Sequence, residues 1–131
     1  MKLIIVDDNI SFRKAFKKLL EEEYHCNVIG EADTGEAFLL LPQIADANLI
    51  FLDLFMPGKN GIEIARVALK NNQGLQFIAV TMHSEKAYLQ ELKDSGFRGV
   101  IAKPRLFDEL SAAMQTVTRG LCYFPDKETL K

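Results

Sequence analysis

Asp53 closes the apolar run Leu49-Ile50-Phe51-Leu52 and is followed by Leu54-Phe55-Met56-Pro57-Gly58, while Asp7 and Asp8 close a second run, Leu3-Ile4-Ile5-Val6. Pro57 and Gly58 cannot continue a central strand, so Asp53 marks the point where a buried strand emerges. Two parallel strands that both deliver carboxylates at their C-terminal ends would build one acidic pocket. Carboxylates facing one another repel, and at least one pKa rises unless a cation joins them. Mg2+ is the natural candidate, since it prefers oxygen ligands and is commonly held by one or two carboxylates plus phosphate oxygens. Two further apolar runs, 75–80 and 99–102, end at Thr81 and at Lys103-Pro104. Thr81 offers a hydroxyl donor, and Lys103 a compact positive charge that can hold a phosphoryl oxygen or a carboxylate. A carboxylate nucleophile, a divalent metal, a lysine and a hydroxyl together suit phosphoryl transfer to an aspartate.

These residues need a frame that brings strand ends together, and the hydrophobic pattern supplies one. Short runs without apolar–polar alternation read as strands buried on both faces, over 3–7, 48–53, 75–80 and 99–102, with a more polar edge strand at 27–32. Segments of helical period lie between them. Asn9 can cap a helix carrying Phe12, Ala15, Phe16 and Leu19 on one face, and Asp33 or Thr34 a second helix running to about Ile44. A third helix spans 61–70, and Ser84 can cap a fourth that reaches Gly96. A last helix presents Leu106, Leu110, Ala113 or Met114, and Val117, with Asp108 and Glu109 in its first turn and Arg119 in its last, ended by Gly120. Five strands alternating with five helices imply an α/β fold, a doubly wound parallel sheet with helices on both faces. Ligands of such sheets bind outside the carboxyl ends of the strands, where Asp7, Asp8, Asp53, Thr81 and Lys103 all fall.

The bulk properties narrow the classes. A chain of 131 residues, 48% hydrophobic and 26% charged, is that of an ordinary globular domain. A net charge of −2 recommends no direct contact with nucleic acid, and no apolar stretch is long enough for a membrane span. Cys26 and Cys122 stand apart from any metal-ligand spacing, which fits a reducing, cytoplasmic setting.

In order and at these strand ends, Asp7-Asp8, Asp53-Leu54-Phe55-Met56-Pro57-Gly58-Lys59-Asn60-Gly61, Thr81 and Lys103-Pro104 resemble a receiver domain of the two-component response regulators, over residues 2–119. The resemblance implies the flavodoxin-like strand order 2-1-3-4-5 and a phosphorylation-controlled switch, in which Asp53 accepts a phosphoryl group from a sensor histidine kinase. Asp8, Asp53 and the backbone carbonyl of Phe55 would ligate Mg2+, with Asp7 acting mainly through a bound water. Thr81 would follow the phosphoryl oxygen, Lys103 would pair with it, and the Lys103–Pro104 bond would be cis. The protein would be a phosphoacceptor that assists its own phosphorylation and dephosphorylation rather than an enzyme with an external substrate. Thr81-Met82-His83-Ser84-Glu85 and Arg119-Gly120-Leu121-Cys122-Tyr123-Phe124 look most like the subclass joined to a LuxR-type helix-turn-helix domain. Residues 1–120 would then be the receiver, and 121–131 a tail or the start of a linker to an effector domain that controls transcription.

Phe55, Met82, His83 and Val100 stand where such domains tune the phosphoryl group or its signal. Where relatives carry an aromatic ring that turns inward, this chain has Val100, which points to a signal leaving by backbone movement. Phe55 borders the phosphoryl position and is expected to shield it from water. Tyr88, Gln90 and Val100 are candidates for a partner-facing surface, including a homodimer contact formed on phosphorylation. Three other classes fit less well. Aspartyl-nucleophile phosphohydrolases place Asp-x-Asp after the first strand. A flavodoxin-like cofactor binder needs a phosphate loop where Asp7-Asp8-Asn9 would repel phosphate. A degenerate receiver would lack the complete acidic set.

Overall fold

Four of the five strands are apolar at nearly every position, so neither face tolerates water and each must be covered by helices. A computed structural model describes residues 1–56, 58, 60–82 and 86–124, the side chains of 86–88 excepted. The strands β1 (Lys2–Val6), β2 (Asn27–Ala32), β3 (Leu49–Leu52), β4 (Phe77–Thr81) and β5 (Gly99–Ala102) form one parallel sheet in the order β2-β1-β3-β4-β5. This is the order that the resemblance implied, with the more polar β2 at an edge. Successive side chains feed two cores. Ile4, Val6, Ile50 and Leu52 pack on one face with Phe38, Ile64, Leu92 and Phe97, and Leu3, Ile5, Leu49 and Phe51 on the other with Phe16, Leu20, Leu110 and Val117. The helices α2 (Gly35–Leu39), α3 (Gly61–Asn71) and α4 (Lys86–Asp94) cover the first face, and α1 (Ile10–Glu22) and α5 (Leu106–Thr118) the second.

The helix starts follow their capping residues. Asn9 Oδ1 accepts the N–H of Phe12, Thr34 Oγ1 that of Ala37, and Asn60 Oδ1 that of Glu63. Ser84, the expected cap of α4, lies outside the described residues. The α1 stripe is rotated from the expected one: Phe16 and Leu20 are buried, Phe12 and Leu19 half-buried, and Ala15 faces solvent. The second helix is also shorter than its apolar period suggested. It ends at Leu39, and a 3-10 turn follows over Pro42–Asp46. Pro42 lacks an N–H and disfavours the helical conformation for Leu41, which is extended at φ −70°, ψ 122°.

Two expectations about the last strand are corrected. The Lys103–Pro104 peptide is trans, not cis. Pro104 sits at the start of a 3-10 turn, Lys103–Arg105, where its fixed φ suits the turn and its missing N–H leaves no bond unmade. Val100 is 2% exposed and part of the first core, so it is not a partner-facing residue. In addition, β5 is not a bare edge. Tyr123 donates its N–H to the Arg98 carbonyl (2.8 Å) and accepts from the N–H of Val100 (3.0 Å), a parallel bridge alongside Gly99. Phe124 packs against the first core, and Lys93 lies 5.2 Å from its ring centroid. The segment after α5 therefore covers backbone groups that would otherwise invite pairing with another chain.

Two outcomes are expected. The Tyr123 phenol, pushed up from 10.0 to about 12 by burial and then by its hydrogen bond to Glu109, holds its proton more tightly folded than unfolded. Its contribution to stability is thus intact below the ordinary tyrosine range and lost as pH rises towards 12. Alkaline absorbance titration should contain a late tyrosinate component that disappears in Tyr123→Phe. Gly61 begins α3 against the end of β3. A methyl group there would lie 3.0 Å from both the Asp53 carbonyl oxygen and Leu54 Cα, backbone atoms that cannot step aside. Gly61→Ala should lose about 1–3 kcal/mol in urea unfolding, the usual range for overpacking; parental stability would contradict this contact.

Candidate functional site

The sheet carries its hydrogen bonds one residue past β1 and β3, and that residue is an aspartate in both. Asp7 donates its N–H to the Ala32 carbonyl (3.0 Å), and Asp53 its N–H to the Val6 carbonyl (2.9 Å). Neither carboxylate can drift, because its own backbone belongs to the ladder. On the far side, Thr81 is the last residue of β4 and pairs in register with Ala102, so Lys103 follows directly beside it. Asp7, Asp8, Asp53, Thr81 and Lys103 are thus all delivered to the same end of the sheet, as the spacing of the apolar runs implied.

Among the described residues, carboxylate oxygens of Asp7, Asp8 and Asp53 lie within 4.8 Å of one another. Asp7 and Asp53 are buried and Asp8 is exposed. Lys103 Nζ stands 2.8 Å from Asp7 Oδ2 and 3.6 Å from Asp53 Oδ2, with its side chain 13% exposed. Asp7 Oδ1 accepts the N–H of Asn9 (2.9 Å), which ties the pocket to the cap of α1. Asp53 Oδ1 accepts the N–H of Phe55 (3.1 Å), which curls the loop after β3 back over its own strand end.

Burial pushes the Asp53 carboxyl above its usual range, and the neighbouring charges of Asp7 and Asp8 push the same way. The Phe55 N–H and the Lys103 ammonium oppose them without prevailing. Lys103 pairs with two of the three carboxylates, Asp7 and Asp53, and the side-chain donors of the cluster are hard oxygens. That donor set fits a small divalent cation better than a soft metal.

The tuning positions are arranged unevenly. Phe55 is 47% exposed and stands at the rim, and Met82 is exposed beside Thr81. His83, Pro57 and Lys59 lie outside the described residues, as does the side chain of Tyr88; Gln90 is exposed on α4.

Sequence reasoning had left two neighbours of the pocket unassigned. Arg13 Nη1 donates to the Asp7 carbonyl (2.6 Å) while its Nε pairs with Glu31 (3.2 Å), bracing the β1 loop against β2. Phe12, read only as core, turns its ring towards Lys103, with Nζ 4.3 Å from the centroid. The available signal was positional: a helix capped by Asn9 must hang its first-turn side chains beside Asp7 and Asp8.

The model of the family described as "Response regulator receiver domain" matches residues 3–115. Transcriptional regulatory protein DegU of Brevibacillus brevis is 26% identical over 129 residues, 98% of this chain and 55% of that protein. Response regulator GacA of Pseudomonas aeruginosa is 28% identical over 123 residues, 94% of this chain and 58% of its own length. The chain thus spans a little over half the length of these curated relatives. Among solved structures, the isolated REC domain of RcsB from Salmonella enterica serovar Typhimurium, in the presence of phosphomimetic BeF3-, superposes with a TM-score of 0.84 at 27% identity, covering 96% of this chain and 94% of that one. A LuxR-family two-component response regulator from Aurantimonas sp. SI85-9A1 shares the fold at a TM-score of 0.86, 24% identity, 93% of this chain and 87% of that one. With the family match running from β1 into α5 and taking in the whole acidic pocket, the chain belongs to the response regulator receiver domains.

Proposed function

We propose that the chain is a phosphorylation-controlled switch whose phosphoacceptor is Asp53. The observation that carries this reading is the pocket itself: a buried carboxylate held at a strand end, crowded by two others, with Lys103 in reach. A carboxylate oxygen of Asp53 attacks the phosphorus of a phosphohistidine on a sensor kinase. The P–N bond breaks, its electron pair stays with the imidazole nitrogen, which takes up a proton, and an acyl phosphate is left on Asp53. Lys103 is close enough to both aspartates to turn from Asp7 to a phosphoryl oxygen. Thr81, at the end of the neighbouring strand, supplies a hydroxyl donor for another.

Asp8 and Asp53, with the carbonyl of Phe55, would hold Mg2+, and Asp7 would act through a water. When bound, the ion supplies charge neutralisation for the carboxylates and for the phosphoryl oxygens. The added charge of about −1.5 to −2 biases a two-state equilibrium towards the form that engages a partner, a second copy or an effector domain that controls transcription. In this reading the chain is a substrate that assists its own modification, not an enzyme with external turnover. The phosphohydrolase alternative has no observation in its favour here.

Incubation with Mg2+ and acetyl phosphate should add one phosphoryl group by intact mass, and Asp53→Asn should abolish the adduct; an adduct that survives the substitution sinks the assignment. The raised Asp53 pKa adds a second expectation. Its folded form binds the proton more tightly than the unfolded chain, so stability falls as pH rises through the window between the ordinary and the raised value. At neutral pH without divalent ions, Asp53→Asn should therefore melt above the parent, and Mg2+ should raise the parent's Tm more than the variant's. Finally, Phe55, whose N–H is bonded to Asp53 Oδ1, borders the acceptor, and in this reading its ring limits water's approach. Phe55→Asn should shorten the lifetime of the acyl phosphate, followed as loss of the mass adduct after the donor is removed.

A further inference from the structure

We propose that Phe12 is a positioning residue for Lys103, its ring face holding the ammonium over the carboxylate cluster, where it can pass to a phosphoryl group on Asp53. The inference rests on the reading of Asp53 as phosphoacceptor. Lys103 Nζ lies 4.3 Å from the Phe12 ring centroid, well inside cation–π range. The same nitrogen touches Asp7 and approaches Asp53. The ammonium is therefore held from three elements at once, by α1 and by the ends of β1 and β3. Its side chain is mostly shielded from water, where a cation–π contact is stronger than at an exposed surface.

The ring is fixed at both ends. Towards the pocket, the Phe12 N–H donates to Asn9 Oδ1, and the Asn9 N–H donates to Asp7 Oδ1. Towards the core, the Phe12 ring packs 5.5 Å from that of Phe16. Phe16 meets Phe51 edge-on at 4.9 Å, and Phe51 is buried on β3 two residues before Asp53. A lysine is rotamer-rich, and ordering it during the reaction would slow transfer. The ring orders it beforehand. Because the contact tolerates centroid distances up to about 6 Å, the ammonium can turn from a carboxylate oxygen to a phosphoryl oxygen without leaving the ring face.

The 131-residue chain tests this with Phe12→Leu, which stays apolar but removes the π face, and Phe12→Tyr, which keeps the ring. With acetyl phosphate and saturating Mg2+, Phe12→Leu should take up the phosphoryl group about two- to thirtyfold more slowly than the parent, the range such a contact commands. Phe12→Tyr should stay near the parental rate, and the Mg2+ concentration for half-maximal rate should not move in either. By NMR, the Lys103 ε-methylene protons should show a ring-current shift in the parent and in Phe12→Tyr that is lost in Phe12→Leu. A leucine variant that is less stable but transfers at the parental rate overturns the proposal, as does a tyrosine variant no faster than leucine, or a parent without the ring-current shift. A parent that takes up no phosphoryl group sinks the reading of Asp53 and with it the role of Phe12 in transfer; an intact ring-current shift then shows that the ring was rightly placed and the acceptor wrongly assigned.

Discussion

The repulsion among Asp7, Asp8 and Asp53 is the interaction around which this molecule is arranged. Their carboxylate oxygens lie within 4.8 Å of one another, and like charges held that close oppose folding. Loops could not hold such a cluster, since they would splay to relieve it. The parallel sheet can, because the backbones of Asp7 and Asp53 are themselves rungs of the ladder. The four residues of β3 are at most 1% exposed, and burying them contributes roughly 6–12 kcal/mol. That burial works against the repulsion, and Lys103 Nζ, 2.8 Å from Asp7 and 3.6 Å from Asp53, offsets part of it. The pocket is thus held under electrostatic load by an apolar frame, and any cation or phosphoryl group that changes its charge balance acts on the whole strand end.

The connections leaving the pocket are few and specific. Arg13 joins the β1 loop to Glu31 on β2, Phe12 joins Lys103 to the aromatic pairs on the second core, and Gly61 seats α3 directly on the Asp53 carbonyl. On the other side, the turn containing Lys103 runs into Arg105, which pairs with Glu109. Glu109 accepts the hydroxyl of Tyr123, whose backbone is bonded to β5. Contacts thus lead from the turn after β5, through this ion pair, to the segment after α5.

Much of this was legible beforehand for a simple reason. A strand buried on both faces writes itself as an unbroken apolar run, and a polar residue that ends such a run has no place to be except the sheet's end. That logic located Asp7, Asp8, Asp53, Thr81 and Lys103, and the edge position of β2 followed from its polar residues. It worked less well where two local rules competed. The apolar period carried the second helix to Ile44, but the backbone demands of Pro42 stopped it at Leu39. Val100 looked available to a partner because it sits on the last strand, but its side chain belongs to the first core.

Chemical type and order along the chain were thus set by the sequence alone: which residues could carry a phosphoryl group, and at which strand ends they must lie. Tertiary structure decided the pairings among them. Lys103 could have faced Asp53, Asp7 or solvent, and its position 2.8 Å from Asp7 and beneath the Phe12 ring depends on how α1 packs across β1 and β3. Apolar periodicity reports that a face is buried. The rotation of that face about the helix axis, which turned Phe12 towards the pocket and Ala15 towards water, is settled by packing against residues far away in the chain.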